Sequence, residues 1–330
     1  MNWNSDYVSR FYAEFVDPVT WRDIGRFEIE NGSVSRQNTG LRQSASMNVD
    51  EFDDFTETLV RIYVDAVQGE NIEHVPLFTG YAMNPTVQVN GNIRTQNIEC
   101  YSVLKPAEDI LLPRGWYAQR GALGSVVIRD LLSVLKAPIE IAAESQLDHN
   151  IVAENNETRL SMVDKLLNAV GNVLTISGDG TVSITPKSNE VVMVFNPDDN
   201  DVIEPTLMVE HNWFDAPNVF RAVMDNVSAT ERDDSESSEL STVNRGREVW
   251  RQEDVAELSN ETLAQYAKRR LKEAQAVGTK LSYTRRYNPN IQIEDVIGLN
   301  YPQIQGNYRI TSQSWNLSHS METSEESERV

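Results

Sequence analysis

The hydrophobic period of the chain changes twice along its length, and this limits the available folds more than any other feature. In residues 59–67, Val60, Ile62, Val64 and Ala66 share one parity while Arg61 and Asp65 take the other. A period of two predicts a strand buried on one face. Similar stretches at residues 7–16, 27–29 and 44–49 are separated by Pro, Gly, Asn and Asp. Asn90-Gly91 suits a two-residue hairpin turn, because both residues tolerate positive φ. Beyond it, Ile98, Cys100 and Leu104 fall on one face with Ser102. Cys100 therefore reads as a small buried hydrophobe rather than a reactive thiol, since an apolar setting raises a thiol's pKa.

The middle of the chain switches to helical spacing. Leu123, Val126, Val127, Leu131, Leu132 and Leu135 follow it until Pro138 stops the pattern. A second helix runs through Met162, Val163, Leu166, Leu167 and Val170, with Thr158 or Ser161 as its cap and Gly171 as its end. Strand alternation then flanks Gly178-Asp179-Gly180, which predicts a hairpin. A phosphate cradle would need a helix after the glycines, and a strand follows instead. The period of two returns at residues 219–227. Residues 231–240 are polar and charged and predict an exposed, mobile loop. An amphipathic helix follows with Leu263, Tyr266, Ala267, Leu271 and Ala274 on one face, Ser259 as cap and Gly278 as stop. Strands at residues 281–286, 296–299, 308–317 and 321–330 close the chain.

The 330 residues predict two or three domains. The lone Cys100 rules out an intrachain disulfide framework and a cysteine zinc site. The first residues carry neither a basic nor an apolar leader, which predicts no signal peptide. The longest apolar run, Val191–Phe195, falls far short of the roughly 20 residues that span a bilayer. These features predict a soluble chain made in the cytoplasm. Acidic residues outnumber basic ones 50 to 29, a net charge of −21. That balance argues against gripping nucleic acid through phosphates and against docking on an anionic membrane. The basic side is 22 Arg against 7 Lys. Few lysines beside abundant carboxylates fit a chain working in concentrated salt, that is, a halophilic host.

Chemistry-bearing motifs are weak. His74, His149, His211 and His319 are scattered, and none forms an i, i+4 metal pair. Two acidic clusters, Asp50, Glu51, Asp53 and Asp54, and Asp198, Asp199, Asp201 and Glu204, offer oxygens to calcium. The second lacks the central glycine and closing glutamate of an EF-hand loop, and solvated acidic faces are the more economical reading. No residue is assigned a catalytic, cofactor-binding or metal-ligating role, and no cofactor is expected.

The order of motifs in the last third resembles baseplate hub proteins of tailed phages and related contractile injection systems. The helix of residues 263–274 precedes a strand at 281–286. Glu294-Asp295-Val296-Ile297 and Gly306-Asn307-Tyr308-Arg309-Ile310-Thr311-Ser312 follow. Near the start, Arg61-Ile62-Tyr63 and Pro76-Leu77-Phe78-Thr79-Gly80 match the family's usual run. The resemblance implies a mainly β fold with an α+β insertion. Two antiparallel β-barrel-like domains, residues 1–105 and 205–330, would flank a small mixed domain at 106–204. Residues 205–230 are open to packing with the first barrel instead. It further implies a non-enzymatic homotrimer at the distal end of a virion tail, adapting a sixfold tail tube to a threefold tip around the DNA channel. Its partners would be tail tube, tape measure, distal tail or baseplate, and spike or fibre proteins. DNA would pass without specific binding, and no membrane would be bound. The competing readings are a tail-tip enzyme or carbohydrate-binding module using paired carboxylates, and a calcium-dependent adhesin.

Overall fold

The computed structural model describes residues 1–3, 5–49, 58–90, 93–142, 144–197, 207–211, 213–224, 226–255, 261–276, 279–302, 304–318 and 321–330. Seven strands open the chain: β1 (Val8–Val16), β2 (Asp23–Glu28), β3 (Asn31–Gln37), β4 (Gln43–Val49), β5 (Thr58–Gln68), β6 (Asn71–Asn90) and β7 (Ile93–Ser102). The middle holds α1 (Lys105–Asp109), β8 (Tyr117–Ala118), α2 (Gly124–Leu131), β9 (Ile139–Ile141), β10 (Ile151–Val152) and α3 (Arg159–Val170). It continues with β11 (Asn172–Ile176), β12 (Val182–Pro186) and β13 (Val191–Phe195). The remainder comprises β14 (Met208–His211), β15 (Val219–Met224), β16 (Val227–Arg232), α4 (Thr242–Arg245), β17 (Trp250–Asp254) and α5 (Leu263–Ala276). Strands β18 (Thr279–Arg286), β19 (Val296–Tyr301), β20 (Ile304–Asn316) and β21 (Glu322–Arg329) end it. The fold is mainly β with a mixed α+β insertion, as the changing period predicts.

The first seven strands pair antiparallel in the order β3-β4-β7-β6-β5-β1-β2. On β5 the expected parity holds: Val60, Ile62, Val64 and Ala66 are fully buried. The opposite face departs from the sequence reading, because Arg61 is only 6% exposed. A hairpin from the middle segment covers it, so β5 is buried on both faces at that point. Opposite, β6 skips a residue, with Ile62 facing Phe78 and Tyr63 facing Pro76. The bulge accommodates a proline in a central strand, where its missing N–H would otherwise break the ladder. It also leaves Leu77, fully buried, as the extra residue.

The middle segment has its own core of Ile128, Leu131, Leu132, Leu160, Val163, Leu166 and Ile184, among others. Both proposed caps of α3 act together. Thr158 is the N-cap and accepts from the Ser161 amide, while Ser161 Oγ accepts from the Thr158 amide. Gly171 closes the helix at φ 69°. In α2 the buried stripe is Ile128 and Leu131, continuing into Leu132, whereas Val126 is 60% exposed. The spacing shows the helix, but its phase is turned from the one Val126 suggests. Cross-strand pairs Leu174–Ile184 and Ile176–Val182 then seat the β11–β12 hairpin on that core.

Strand β20 joins the two ends of the chain. Its first half pairs with β19 and its second half with β3, while β21 runs along its other edge. A register shift at Thr311 bends it from one partner to the next. A chain of edge-to-face rings reinforces this joint: Trp3–Tyr7 at 5.4 Å, Trp3–Tyr287 at 5.7 Å and Tyr287–Trp315 at 5.9 Å. Such pairs add about 0.5–1.5 kcal/mol each beyond area burial. Strand β14 pairs with β18, and β15 lies between β16 and β17, so residues 208–211 and 219–232 pair with no strand of β1–β7. Helix α5 packs on this small three-stranded layer through Ala267 and Leu271 against Phe220 and Ala222. Residues 233–240 are more ordered than a mobile loop. Asn244 Nδ2 donates to Glu236 O and Ser238 O, and Ser238 Oγ donates to Asp233 Oδ2.

Candidate assembly site

Two features stand out, a joint where the parts of the chain press together and apolar elements that no described strand covers. The joint forms where Gly178-Asp179-Gly180 presses on β5 and β6. A Cβ on Gly178 would lie 1.7 Å from Pro76 O, and Gly180 sits at φ 85° against Thr79 and Trp21. Arg61 gathers the contact. Its Nε donates to Thr79 Oγ1 at 2.9 Å, Nη1 to Asp23 Oδ1 at 2.8 Å and Nη2 to Asp179 O at 3.0 Å. Thr79 Oγ1 donates to Gly178 O at 2.8 Å, and Trp21 Nε1 to Asp179 O at 2.9 Å. Arg42, 6% exposed, adds a second tie through Leu174 O at 3.1 Å and Asp164. The hairpin is thus where the sequence places it, and its glycines do steric work that a turn alone would not require.

Uncovered elements lie outside this joint. Among the described residues, 86–90 of β6 pair only with β7 and 93–95 of β7 only with β6, so the two strands continue as a two-stranded arm past the described ends of β4 and β5. Val87 is 45% and Val89 67% exposed on it. A bare two-stranded ribbon is marginal in water, and its branched side chains gain stability against a partner. Asn90 pairs with Ile93, and Gly91 of the expected Asn90-Gly91 turn lies outside the described residues. Strand β13 pairs only with β19 among the described strands and exposes Val192 and Val194 by about half each, at 51% and 52%. An apolar strand with one open edge is a template for another chain.

The polar groups are arranged as tied charges. Inside the C-terminal sheet, Arg285 and Glu325 are 2% and 2% exposed and meet through Arg285 Nε and Glu325 Oε2 at 2.9 Å. Gln313 Nε2 donates to Glu325 Oε1 at 2.6 Å. On the outer face of the same strands, Lys280 opposes Glu328 and Arg286 opposes Glu322. A cleft of about 690 Å³ lies between α3 and α5 and is lined by Arg42, Asp164, Glu253, Arg270, Glu273 and Glu294, among others. Arg270 holds Glu253 at 2.9 Å and Glu273 at 2.8 Å. The hydrogen bond from Arg270 keeps the Glu253 carboxyl below its ordinary pKa, and the Arg269 and Arg270 contacts outweigh burial to do the same for Glu273. Carboxylates clamped in this way are charge-network members, unlike the acid and base of separated pKa that proton transfer requires.

Other residues singled out in the sequence are dispersed. Cys100 is 1% exposed between Ala45 and Ala82, and burial pushes its thiol far above the ordinary value. It should resist a thiol reagent in native buffer and react only once denaturant is added; one equivalent reacting natively would contradict this burial. His74 Nδ1 lies 2.7 Å from Asp65 Oδ1 at the surface, and His149 pairs with neighbouring Asp148. His211 lies on β14 opposite Thr279. His319 and both acidic clusters, Asp50 to Asp54 and Asp198 to Glu204, lie outside the described residues, as do Ser259 and Gly278. Among the described residues no three His, Cys, Asp or Glu side chains are grouped to hold a metal ion. No described helix is long and apolar enough to cross a membrane.

No protein-family model and no curated protein matches this sequence. Solved structures do. The chain is similar to a tail protein from Neisseria meningitidis, at TM-score 0.72 and 13% identity over 98% of this chain and 97% of that one. It is also similar to a tail protein of prophage MuSo2 from Shewanella oneidensis, at TM-score 0.70 and 12% identity over 97% and 98%. A component of the type VI secretion system of E. coli aligns at TM-score 0.51 and 8% identity over 92% and 73%. The chain therefore has the fold of phage tail proteins and of a secretion-system component.

Proposed function

We propose that this chain is a structural subunit at the distal end of a phage-type tail, a hub that works without catalysis. The observation that carries the reading is the fold likeness to tail proteins from one end of the chain to the other. The continuous sheet through β20 and the tied hairpin support it, because a force-bearing joint needs parts that do not move separately. In this reading three copies close into a ring around the channel. A heterologous contact that closes after three copies accounts for one chain meeting many identical neighbours. The two β-rich halves of each copy would face a sixfold tail tube, and the opposite side would carry a threefold tip. The tape measure, spike or fibre, and distal tail or baseplate proteins are its further partners. The arm of β6–β7 and the open edge of β13 supply apolar surface for such contacts.

The acidic excess has a role here. A negative wall repels phosphate, so DNA slides past without adhering. Native mass measurement tests the closed ring. The expected species is about 112 kDa, three times the 37.3 kDa chain. A monomer at all concentrations and salts, with no affinity for tube or tip proteins, would sink the reading. Crowded carboxylates also predict a melting temperature that rises between about 0.1 and 1 M KCl, as the Debye length falls from about 10 to about 3 Å. Loss of fold only at low salt would point to a halophilic host, whereas full stability in dilute buffer would count against one.

A further inference from the structure

The four buried arginines of this fold are all paired, whereas the partly buried Arg36 is not. Arg42 meets Asp164 at 2.5 Å, Arg61 meets Asp23 at 2.8 Å, Arg285 meets Glu325 at 2.5 Å and Arg309 meets Glu294 at 3.4 Å. Arg36 on β3 has no carboxylate within ion-pair distance among the described residues. Its Nη2 donates to Leu77 O at 2.6 Å, the carbonyl of the bulged residue on β6. Its Nε is buried with no hydrogen-bond partner. The guanidinium lies 5.1 Å from the centroid of the Trp315 ring. It lines a cavity of about 430 Å³ where β6, the residue 177–181 hairpin and the segment after β18 meet, beside Pro76, Ser183, Tyr287 and Ile291.

A guanidinium keeps its charge at every physiological pH, so Arg36 cannot escape burial by losing a proton. Burial nevertheless pulls its pKa below the ordinary arginine value, with only Tyr287 and Asp179 acting in favour of the charge. Asp179 lines the same cavity but is already engaged by Ser177 Oγ and by the Thr181 amide at 3.1 Å. Glu140, also at the cavity, is exposed. The guanidinium is only partly shielded from solvent, but its Nε–H is buried and finds no acceptor, and an unmet buried donor is costly. The missing partner is an anion that accepts from a planar fork, and a carboxylate matches that geometry. The cavity is of a size that holds a short peptide segment, and its proline, isoleucine and aromatic walls suit one. Chains of this composition, with 50 Asp and Glu, bring carboxylates to any shared interface.

We propose that Arg36 anchors a docking site for an acidic side chain of an adjacent protein subunit. The site goes beyond the hub reading and stands or falls on its own measurement. The probe is the capped tripeptide acetyl-Gly-Glu-Gly-amide, titrated into the full chain while the arginine Nε–H signals are followed by NMR. The Arg36 signal should move and saturate near about 1 mM, as one charge-assisted contact with apolar flanks would give. The Arg285 signal should stay still. The glutamine peptide, acetyl-Gly-Gln-Gly-amide, should leave Arg36 unmoved. Arg36→Met should abolish binding and melt only slightly lower than the wild type, because it strands no carboxylate and costs only the donor to Leu77 O. If that variant misfolds, Arg36→Lys keeps the charge without the fork and should bind roughly tenfold more weakly. No movement of Arg36, equal movement with the glutamine peptide, or equal saturation by acetate at the same concentration would overturn the assignment.

Discussion

Arg285→Met is expected to destabilise the protein by about 4 kcal/mol, and Glu325→Leu by a similar amount, because each leaves a buried charge alone. The two side chains meet diagonally across β18 and β21 on the inward parity, Arg285 lying opposite Thr323 and Glu325 opposite Tyr283, at 2% exposure each. The double variant Arg285→Met with Glu325→Leu should lose only about 2 kcal/mol. What remains is mainly the Gln313 donor, which loses its carboxylate partner. Denaturant unfolding of all four proteins measures the coupling. Simple addition of the two single effects would show that the pair does not act as a unit.

Gly178→Ala should cost about 3 kcal/mol, the upper end for overpacking, and the loss should appear first as loosening of the middle segment. Its new methyl would meet Pro76 O, held in a bulged strand, and neither backbone has a flexible side chain to yield. Gly171→Ala provides the comparison. That residue has the positive φ of a helix terminus but open space where the Cβ would sit, so only about 1 kcal/mol is expected. Hydrogen exchange should show β11 and β12 opening sooner in the first variant than in the second. Equal losses and equal exchange would mean that the hairpin is not wedged against β6.

Local chemistry made much of this fold legible. A capping pair and a terminal glycine marked α3, strand alternation marked the β11–β12 hairpin, and parity placed Cys100 inside. Chain parity also held the key to Arg285. Leu281, Tyr283, Arg285 and Tyr287 share one parity, and all are buried. The partner strand hid the rest, because Thr323, Glu325 and Ser327 point inward from a stretch with no apolar alternation. Burial of Arg61 was illegible for another reason. Its cover arrives from residues more than a hundred positions away. The same holds for β20, whose change of partner at Thr311 depends on a long-range pairing with β3. Arg36 carries no sequence signal at all; its isolation shows only when every neighbouring carboxylate is accounted for.

The proposed place of this chain, in a ring at the far end of a tail, is open to direct imaging. Electron cryo-microscopy of the assembled particle, with the chain located by a bound antibody fragment, tests it most directly. Three copies are expected to encircle the channel between the tail tube and the tip. Copies distributed along the tube, or bound singly to its outside, would contradict it.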